Sequence, residues 1–550
     1  MFSYLQIAAI ILTITLIKWD TNNCQIVTKY GGITLIGFIT GLIMGDMHTG
    51  LIIGGTMELM QVGLYGASGS SVPDYQIGAC IGTAFAITSG QGLNIALTIG
   101  MPVAALSVNF DILAKTFGCA LLHIVQRQIG RGNYHTAYKI IGASSFSRGI
   151  FTGTLPAIIY LFLGSLFVNN ILSLAPSWIL DGMKIAGNIL PALGICLLIK
   201  HIPVKNVLYI LAGYILSAIF HMPILAVAII GIVLAYHSYK KYASHPTKPV
   251  TLSPDNGTAM PTLVSTSSGT DRLITGHTEN ISPTPHTVSK DSSAYRVTDK
   301  DLKNVFFRYL CTVQAAFNYE THISCGVVFA LGPVLQKIYA DNTKLCRHSL
   351  MEQFHFFNSQ SYLGAALLAA SLAMEEKEHS VVGIYSASLL RTSLMGPFTS
   401  IGDTLFNNML TIVTAGISAH YAMDGNILGM CLCLLFSFFL LIIRWKLFQI
   451  GYSKGVLFIT EGKEKLDTFT NSLMLLGSIV IGSLIAINVQ LPDILYFLPS
   501  GWVHDGLSDI LCIGTVGSVY LLITNKSFPI SAAKMVWLII ALCLLGAYIG

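Results

Sequence analysis

Long apolar stretches alternate with short polar segments along most of this chain. In the first half, candidate membrane segments lie near residues 1–17, 32–54, 77–107, 149–168, 187–199 and 206–236. In the second half, they lie near residues 321–338, 361–374, 404–420, 427–443, 471–488, 507–523 and 533–549. A helix needs about 20 apolar residues to cross a bilayer. The pattern therefore predicts an all-α, polytopic membrane protein.

Several of these segments are too short for a clean span or are interrupted by glycine and proline. The stretch IAGNILPALGI, residues 185–195, is one example. Irregular backbone at membrane depth is tolerated where it is buried in protein or faces a polar cavity. We therefore expect re-entrant or discontinuous helices that line a polar site.

One region of different composition divides the chain. Residues 241–299 are rich in Ser, Thr and Pro and carry basic residues at both ends. Such a segment cannot bury a core of its own, and basic flanks favour the cytoplasmic side of a membrane. We predict a disordered cytoplasmic linker between two transmembrane modules, residues 1–240 and 300–550.

Composition agrees with this architecture and excludes several other classes. The chain has 550 residues, of which 53% are hydrophobic and 10% charged, and its net charge is only +5. A soluble protein carries about 25% charged residues, and a nucleic-acid binder carries a strongly basic surface. The 11 cysteines show no Cys-x-x-Cys pair and no metal-ligand spacing with histidine. We expect no metal and no cofactor. The first apolar run lacks a basic n-region, so we expect a retained membrane segment.

In the first module, acidic and amide side chains lie within or beside apolar sequence. GDMHTGLIIGGTMELMQVG contains Asp46, Glu58 and Gln61, and Asp74 and Gln76 follow in VPDYQIG. Ionisable residues in such places usually face a cavity, although Asp46 also fits a capping role at a segment break. Carboxylates and amides suit sugar hydroxyls, which both donate and accept, but similar oxygens also bind cations.

In the second module, LMGPFTSIGDTLF combines helix-breaking residues with a carboxylate. Gly396, Pro397, Gly402 and Asp403 occur just before an apolar run. The pattern predicts a broken helix whose exposed ends face a polar ligand. Asp403 would either bind that ligand or cap a helix beginning at Thr404.

These motifs resemble those of one family. GDMHTGLIIGGTMELMQVG is similar to the IIC component of mannose/sorbose-family permeases of the bacterial phosphotransferase system. DLKNVFFRYLCTVQAAFNYE, HFFNSQSYLGAALLAASLAMEEKE and LLRTSLMGPFTSIGDTLF resemble the IID component. The resemblance covers about residues 1–240 and 300–550, so the two components are fused here.

The resemblance implies a multi-pass protein of the bacterial inner membrane that imports a mannose-type hexose or amino sugar. Family members form homotrimers and move sugar by an elevator-like displacement. Separate IIA and IIB proteins carry the phosphoryl group on histidine, and IIB transfers it to the sugar. We therefore expect neither a phosphorylated histidine nor a catalytic nucleophile on this chain. An ion-coupled sugar symporter is the alternative, and it differs only in energy coupling.

The resemblance also places the GPFTSIGD segment at the sugar site, facing the acidic motif of the first module. The expected substrate-binding residues are Glu58, Asp74, Gln76, Asn318, Glu320, Asn358, Gly402 and Asp403. Asp46, Gln61 and Glu375 are further candidates, although Glu375 lies in the charged stretch AMEEKE, which is most simply interpreted as a solvated face.

Three short stretches depart from the family pattern and bear on which sugar is bound. Thr399-Ser400 replaces the usual Ala-Gly, Phe317 replaces the usual Trp, and Tyr75-Gln76 replaces smaller residues. No arginine cluster is evident within the apolar sequence, Arg391 being the nearest candidate, so we expect a substrate without phosphate or carboxylate. A membrane aspartyl protease is disfavoured, because neither Gly-Asp pair forms the required Gly-x-Gly-Asp.

Overall fold

The computed structural model describes residues 2–62, 71–162, 206–244 and 295–488, with a few isolated positions outside them. Within these ranges the regular structure is helical, apart from two isolated β-bridges at His322, which confirms the all-α prediction. Most of the predicted linker lies outside the described residues. So do the predicted segments near 507–523, and almost all of those near 187–199 and 533–549.

The described helices fall into two groups. The first half contains α1 (Tyr4–Asn22), α2 (Gly32–Met44), α3 (Met47–Val62), α4 (Tyr75–Ser89), α5 (Leu93–Leu106), α6 (Val108–Gly130), α7 (Tyr134–Gly149), α8 (Val207–Ala218) and α9 (Ile224–Ser244). The second half contains α10 (Asp299–Thr312), α11 (Ser324–Ile338), α12 (Thr343–Glu352), α13 (Ser361–Lys377), α14 (Val381–Gly402), α15 (Leu410–Met423), α16 (Leu428–Lys454) and α17 (Val456–Asn488). A π-helical turn, Ile150–Thr154, follows α7, and another, Asp403–Met409, joins α14 to α15.

Five helical stretches among the described residues are long and apolar enough to cross a membrane. They are Tyr4–Asn22, Leu93–Gly130, Ile224–Lys241, Leu428–Lys454 and Thr468–Ile487. Shorter apolar helices, including α2 and α11, pack among them. This combination of full spans and shorter apolar helices agrees with a polytopic membrane protein.

The predicted single segment near 32–54 is a hairpin of two short helices, α2 and α3. The chain reverses at Gly45, whose φ of +91° is readily adopted only by glycine. Asp46 then accepts a hydrogen bond from the backbone N–H of Thr49 at 3.0 Å, which caps α3. Its position confirms the segment break expected there. The stretch near 77–107 reverses in the same way between α4 and α5, at Gly90 and Gly92.

Backbone contact between glycines holds the α2–α3 hairpin together. A Cβ on Gly50 would overlap the carbonyl oxygen of Gly37 and lie 2.7 Å from the Cα of Gly41. Because both neighbours are backbone atoms, neither can move aside without displacing a helix. The hairpin therefore depends on glycine at this crossing.

We expect Gly50→Ala to destabilise the protein by about 1–3 kcal/mol, as overpacking of a close contact usually does. The melting temperature in detergent measures this loss. Gly396→Ala is the matched control, because a Cβ on Gly396 of α14 would meet no atom within 4 Å. The control should be neutral or slightly stabilising. Equal melting temperatures for Gly50→Ala and wild type would contradict the expected clash.

The broken helix predicted at LMGPFTSIGDTLF is absent from the structure. Gly396, Pro397 and Gly402 all lie inside α14, and Asp403 continues the helix with φ −66° and ψ −42°. The helix then widens through the π-helical turn into α15. The prediction of exposed helix ends is therefore wrong, and so is the prediction that Asp403 caps a helix beginning at Thr404. The helix is widened at the π-helical turn and is not broken there.

The two halves of the chain share their apolar cores. One core combines residues of α2 to α5 with Ile412, Ala415 and Leu484 of the second half. A Cβ on Gly55 of α3 would lie only 2.8 Å from the Cβ of Ala422 in α15. The halves are therefore interlocked by close packing of α3 against α15.

Asp301, near the start of α10, forms a cap outside the membrane-spanning helices. Its carboxylate accepts hydrogen bonds at 2.6 Å from Lys337, Thr298 and Tyr295. Burial opposes ionisation, but these bonds outweigh it and hold the pKa of Asp301 well below its ordinary value. The carboxylate thus stabilises the fold above its unfolded-state pKa of about 3.9, and this contribution declines as the pH falls below that value.

We therefore expect wild type to be more stable than Asp301→Asn at pH 6, with the difference narrowing at pH 3. Denaturant unfolding of both proteins in detergent at the two pH values measures this. A difference that stays constant between pH 6 and pH 3 would contradict the assignment, because it would not depend on the charge of Asp301.

Candidate functional site

A polar cavity of about 290 Å³ lies between the two halves of the chain. This volume lies near the lower end of the roughly 300–1,000 Å³ found for small-molecule sites, which suits a small ligand. The first half contributes α1, the loop after α1, the end of α3, the start of α4, and parts of α6 and α7. The second half contributes residues 313–323, residues 358–361 and the π-helical turn before α15.

An ion pair between Lys18 and Asp74 forms one side of the cavity. Lys18 extends from α1, where only 5% of it is exposed. Asp74 precedes α4 and caps that helix, accepting from the N–H of Ile77 at 3.3 Å. The carboxylate therefore neutralises a buried ammonium and begins α4 at the same time.

A second charged cluster lies on α6 and α7. Asp111 accepts from Lys115 at 2.7 Å, from Arg148 at 3.0 Å and from the Ser71 hydroxyl at 2.6 Å. Lys115 follows Asp111 by one helical turn, so both face the same side of α6. One carboxylate thus holds two cations at the cavity wall.

The aromatic ring of Phe317 lies against this cluster. The guanidinium of Arg148 is 4.7 Å from its ring centroid, and Arg148 also donates to Gln314 at 2.6 Å. The preceding Ala316 has a positive φ of 48°. A Cβ on Gly118 of α6 would overlap the carbonyl oxygen of Phe317, so glycine is needed for this loop to rest on α6.

The π-helical turn supplies the carboxylate of the second half. Asp403 accepts a hydrogen bond at 2.7 Å from Asn407, one turn further on, and both line the cavity. Asn407 in turn accepts at 2.6 Å from Lys29, which belongs to the loop after α1. A widened helix at a polar cavity agrees with the frequent occurrence of π-bulges at functional sites.

Among the described residues, four buried side-chain atoms of the cavity lining have no hydrogen-bond partner: Gln61 Oε1, Ser359 Oγ, Gln360 Nε2 and Arg148 Nε. They comprise an acceptor, a hydroxyl and two donors. A buried polar atom without a partner is costly, so such atoms favour a ligand that can both donate and accept. The cavity therefore combines paired charges with unpaired neutral groups.

The cavity brings together five of the predicted site residues. Asp74, Gln76, Gln61, Asn358 and Asp403 all line it. Gln76 is nearly buried and donates to the Thr21 hydroxyl at 3.1 Å. These five come from elements that are distant in sequence. Polar side chains within or beside apolar sequence indicated four of them, and the family resemblance added Asn358.

Glu58 and Asn318 lie outside the cavity lining. Glu58 is buried and accepts from the N–H groups of Ile33 at 2.8 Å and Thr34 at 3.0 Å, where α2 begins. Asn318 is also buried, and its side chain accepts from the N–H of Thr321 at 2.8 Å, which closes the turn after Phe317. Both side chains thus shape backbone that leads to the cavity.

The other predicted site residues have separate surroundings. Glu320 is exposed and contacts His123 at 3.1 Å. Gly402 packs against Gln360, because a Cβ added to Gly402 would lie 2.6 Å from the Cβ of Gln360. Asp46 caps α3 at the hairpin turn. Each lies outside the described cavity lining.

The solvated-face interpretation of Glu375 is wrong. Its side chain is fully buried and accepts from Ser349 at 2.6 Å and from Gln353 at 3.0 Å. Gln353 is in turn bonded to Arg391, whose guanidinium is also buried. Glu375 and Arg391 thus belong to one internal network of the second half.

Sequence reasoning missed the cations of the cavity, which are Lys18, Lys29, Lys115 and Arg148. The expectation that Arg391 would be the nearest arginine to a site is therefore wrong. The spacing of Asp111 and Lys115 within apolar sequence was a usable signal, since a charge pair one turn apart in a membrane helix usually faces a polar interior. Among the described residues, no group of three or more His, Cys, Asp or Glu is placed to hold a metal ion.

Known families match both halves of the chain. A model described as PTS system sorbose-specific iic component matches residues 4–237. A model described as PTS system mannose/fructose/sorbose family IID component matches residues 296–550.

Individual relatives agree with these matches. The mannose-specific EIID component of Escherichia coli (strain K12) is 29% identical over 194 residues, covering 34% of this chain and 68% of that protein. The mannose-specific EIIC component of the same strain is 28% identical, covering 36% of this chain and 74% of that protein. The sorbose-specific EIID component of Klebsiella pneumoniae is 28% identical, covering 46% of this chain and 95% of that protein.

Proposed function

Because the chain belongs to the mannose/sorbose family of sugar phosphotransferase permeases, with a IIC and a IID component in one polypeptide, we propose that the cavity between its halves is the sugar site. The protein is a multi-pass permease subunit of the bacterial inner membrane, and soluble IIA and IIB proteins are its partners. Its substrate is a mannose-type hexose or an amino sugar.

The observation that carries this proposal is the division of polar groups in the cavity. The cations of the wall have partners: Lys18 is bonded to Asp74, and both Lys115 and Arg148 are bonded to Asp111. Within the described part of the chain, the neutral groups of Gln61, Ser359 and Gln360 have atoms without partners, and so does the Nε of Arg148, a single further donor on a cation that is already ion-paired. Such a site suits a ligand with many hydroxyl groups and no phosphate, because hydroxyls satisfy both donors and acceptors.

Individual roles follow from position. Asp74 and Asp403 approach the cavity from opposite halves and accept from sugar hydroxyls, while Gln61, Gln76 and Asn358 provide amide groups. Glu58, Asn318 and Gly402 shape the surrounding backbone. Phe317 offers an apolar ring beside the charged cluster, which suits the C–H face of a sugar. An amino sugar would gain an ion pair with a carboxylate.

Transport requires that the sugar leave the cavity toward the cytoplasm. We propose that an elevator-like displacement carries the site inward and that the IIB protein phosphorylates the sugar at the cytoplasmic mouth. The phosphoryl group comes from a histidine of IIB, so the permease supplies position rather than a nucleophile. The assembly is a homotrimer, with one cavity in each chain.

The test is uptake of labelled mannose, glucose, N-acetylglucosamine, sorbose, fructose and galactosamine by cells without their own mannose-type permease. The cells express this chain with or without its IIA and IIB partners, and the product is assayed for phosphate. Sugar phosphate that appears only with the partners supports the proposal and identifies the sugar. Accumulation of unmodified sugar without partners would overturn it in favour of an ion-coupled symporter.

A variant pair then tests the site itself. Asp403→Asn should lower uptake at least tenfold at equal protein level, since a hydrogen bond to a charged group is worth about 1.5–3 kcal/mol. Asp46→Asn, at the hairpin turn outside the cavity lining, is the matched control and should transport at the wild-type rate. Equal uptake by both variants would remove Asp403 from the site.

A further inference from the structure

We propose that Lys29 is a positioning residue for sugar binding, which holds the Asp403 carboxylate in place through Asn407. This inference rests on the proposed function, in which Asp403 binds sugar. It assigns a role to a cation of the first half that acts on a carboxylate of the second half.

The geometry forms a continuous relay across the boundary between the halves. Lys29 Nζ donates to Asn407 Oδ1 at 2.6 Å, and Asn407 Nδ2 donates to Asp403 Oδ1 at 2.7 Å. The amide of Asn407 is thereby fixed at both ends. Because its oxygen is bound to a cation, its NH₂ group must point toward the carboxylate. The ammonium thus determines the orientation of Asn407, and Asn407 determines that of Asp403.

A separate contact, made by the next residue of the same loop, stabilises the backbone of the π-helical turn. The hydroxyl of Tyr30 donates at 3.0 Å to the carbonyl oxygen of Phe406, within the π-helical turn. A widened turn changes the regular pairing of carbonyls along a helix, and here a residue from the other half supplies a donor. Two consecutive residues of the first half therefore contact the turn. Lys29 bonds to a side chain of the turn, and Tyr30 bonds to its backbone.

The expected role of Lys29 is indirect, although it also lines the cavity. Its ammonium is already bonded to Asn407 and is attracted by the Asp403 carboxylate. Because the ammonium already makes these interactions, we do not expect it to bind a neutral sugar directly. Without it, the Asn407 amide can rotate, and Asp403 loses a hydrogen bond of fixed direction. The expected consequence is weaker sugar binding, seen as a higher KM.

The experiment measures sugar uptake with the IIA and IIB partners for five variants: Lys29→Met, Lys29→Arg, Asn407→Leu, the Lys29→Met/Asn407→Leu double variant, and Tyr30→Phe. Lys29→Met and Asn407→Leu should each raise KM about tenfold, with kcat within about twofold of wild type, as expected for loss of an oriented hydrogen bond. The double variant should be no worse than either single variant, because both break one relay. Lys29→Arg should restore KM to within about threefold.

Tyr30→Phe separates positioning from general loosening of the turn. It removes the bond to Phe406 but keeps the ring, so the melting temperature should fall while KM stays at the wild-type value. An equal KM increase in Tyr30→Phe would overturn the proposal, because any loosening of the turn would then suffice. Additive effects of Lys29→Met and Asn407→Leu would also overturn it, since Lys29 would then contact the sugar directly.

Failure of the proposed function gives a different result. Wild type would then produce no sugar phosphate from any sugar of the panel, whereas failure of the relay leaves wild type active and Lys29→Met unaffected. If the wild type produces no sugar phosphate, the relay can still be tested by a measurement that needs no sugar. Melting temperatures of the same variants should show coupling between Lys29 and Asn407, and strictly additive temperature shifts would overturn the relay.

Discussion

Asp74→Asn is expected to lower the free energy of unfolding by about 3–5 kcal/mol, because it leaves the buried ammonium of Lys18 without a charged partner. Asparagine caps helices as well as aspartate, so the hydrogen bond to Ile77 that begins α4 should persist. The loss therefore reports the charge alone. Denaturant unfolding in detergent measures it, and labelled-sugar uptake should fall together with stability.

A double variant separates the two effects of Asp74→Asn. Adding Lys18→Met removes the unpaired cation, and replacement of a buried ion pair by neutral groups is often close to neutral for stability. Stability should therefore recover by more than half. Uptake should stay low, because the proposed sugar ligand is still missing. If stability does not recover, the ion pair is not what the mutation disrupts.

Glu375→Gln is expected to lower the free energy of unfolding by a similar amount, about 3–5 kcal/mol, without changing sugar binding. The buried guanidinium of Arg391 would lose the buried carboxylate to which Gln353 connects it. Melting temperature and the KM for uptake measure the two outcomes. The network lies outside the described cavity lining, so KM should match wild type.

Glu378→Gln is the matched control for this network. Glu378 follows the same helix, α13, but its side chain is exposed, and surface substitutions usually change stability by less than about 0.5 kcal/mol. An increase in KM for Glu375→Gln in fully folded protein would restore Glu375 as a site residue. Equal melting temperatures for the two variants would contradict the role of the buried network.

Local sequence was sufficient to predict the helical architecture and one of its reversals. Apolar runs identify helices because lipid and protein interiors both exclude polar side chains. Gly45 followed by Asp46 indicated the turn between α2 and α3, since glycine adopts positive φ and aspartate caps the helix that follows. Both signals act over a few residues, which is the distance that a sequence pattern reveals.

The helix through Pro397 could not be predicted in this way. Glycine and proline are tolerated inside membrane helices when neighbouring groups satisfy the freed backbone. Here the helix is also held from outside, because the Thr399 hydroxyl, two residues after Pro397, lies 2.8 Å from the carbonyl oxygen of Asn358 in the loop before α13. The π-helical turn that follows absorbs the remaining change. These compensations come from tertiary contacts, so the sequence pattern alone favoured a break.

Long-range charge pairing was equally invisible. Lys18 and Asp74 are 56 residues apart, and Lys29 and Asn407 are 378 apart. Family motifs pointed to the carboxylates, but nothing local indicated which cations would meet them. The burial of Glu375 was missed for a related reason. A run of charged residues at a helix end resembles a solvated surface until its neighbours are known.

Both halves contribute residues to the wall of the cavity, and a hydrogen bond from Ser361 to Gln25 at 3.0 Å joins the two halves there. A site of this kind does not exist until both halves meet. If the halves were separate polypeptides, their association would depend on the concentration of each in the membrane. Joining them in one chain makes it an intramolecular event, for which effective concentrations reach about the millimolar range with short flexible connections. Even a cell that makes very few copies would then have a complete site in each, with no excess of either half.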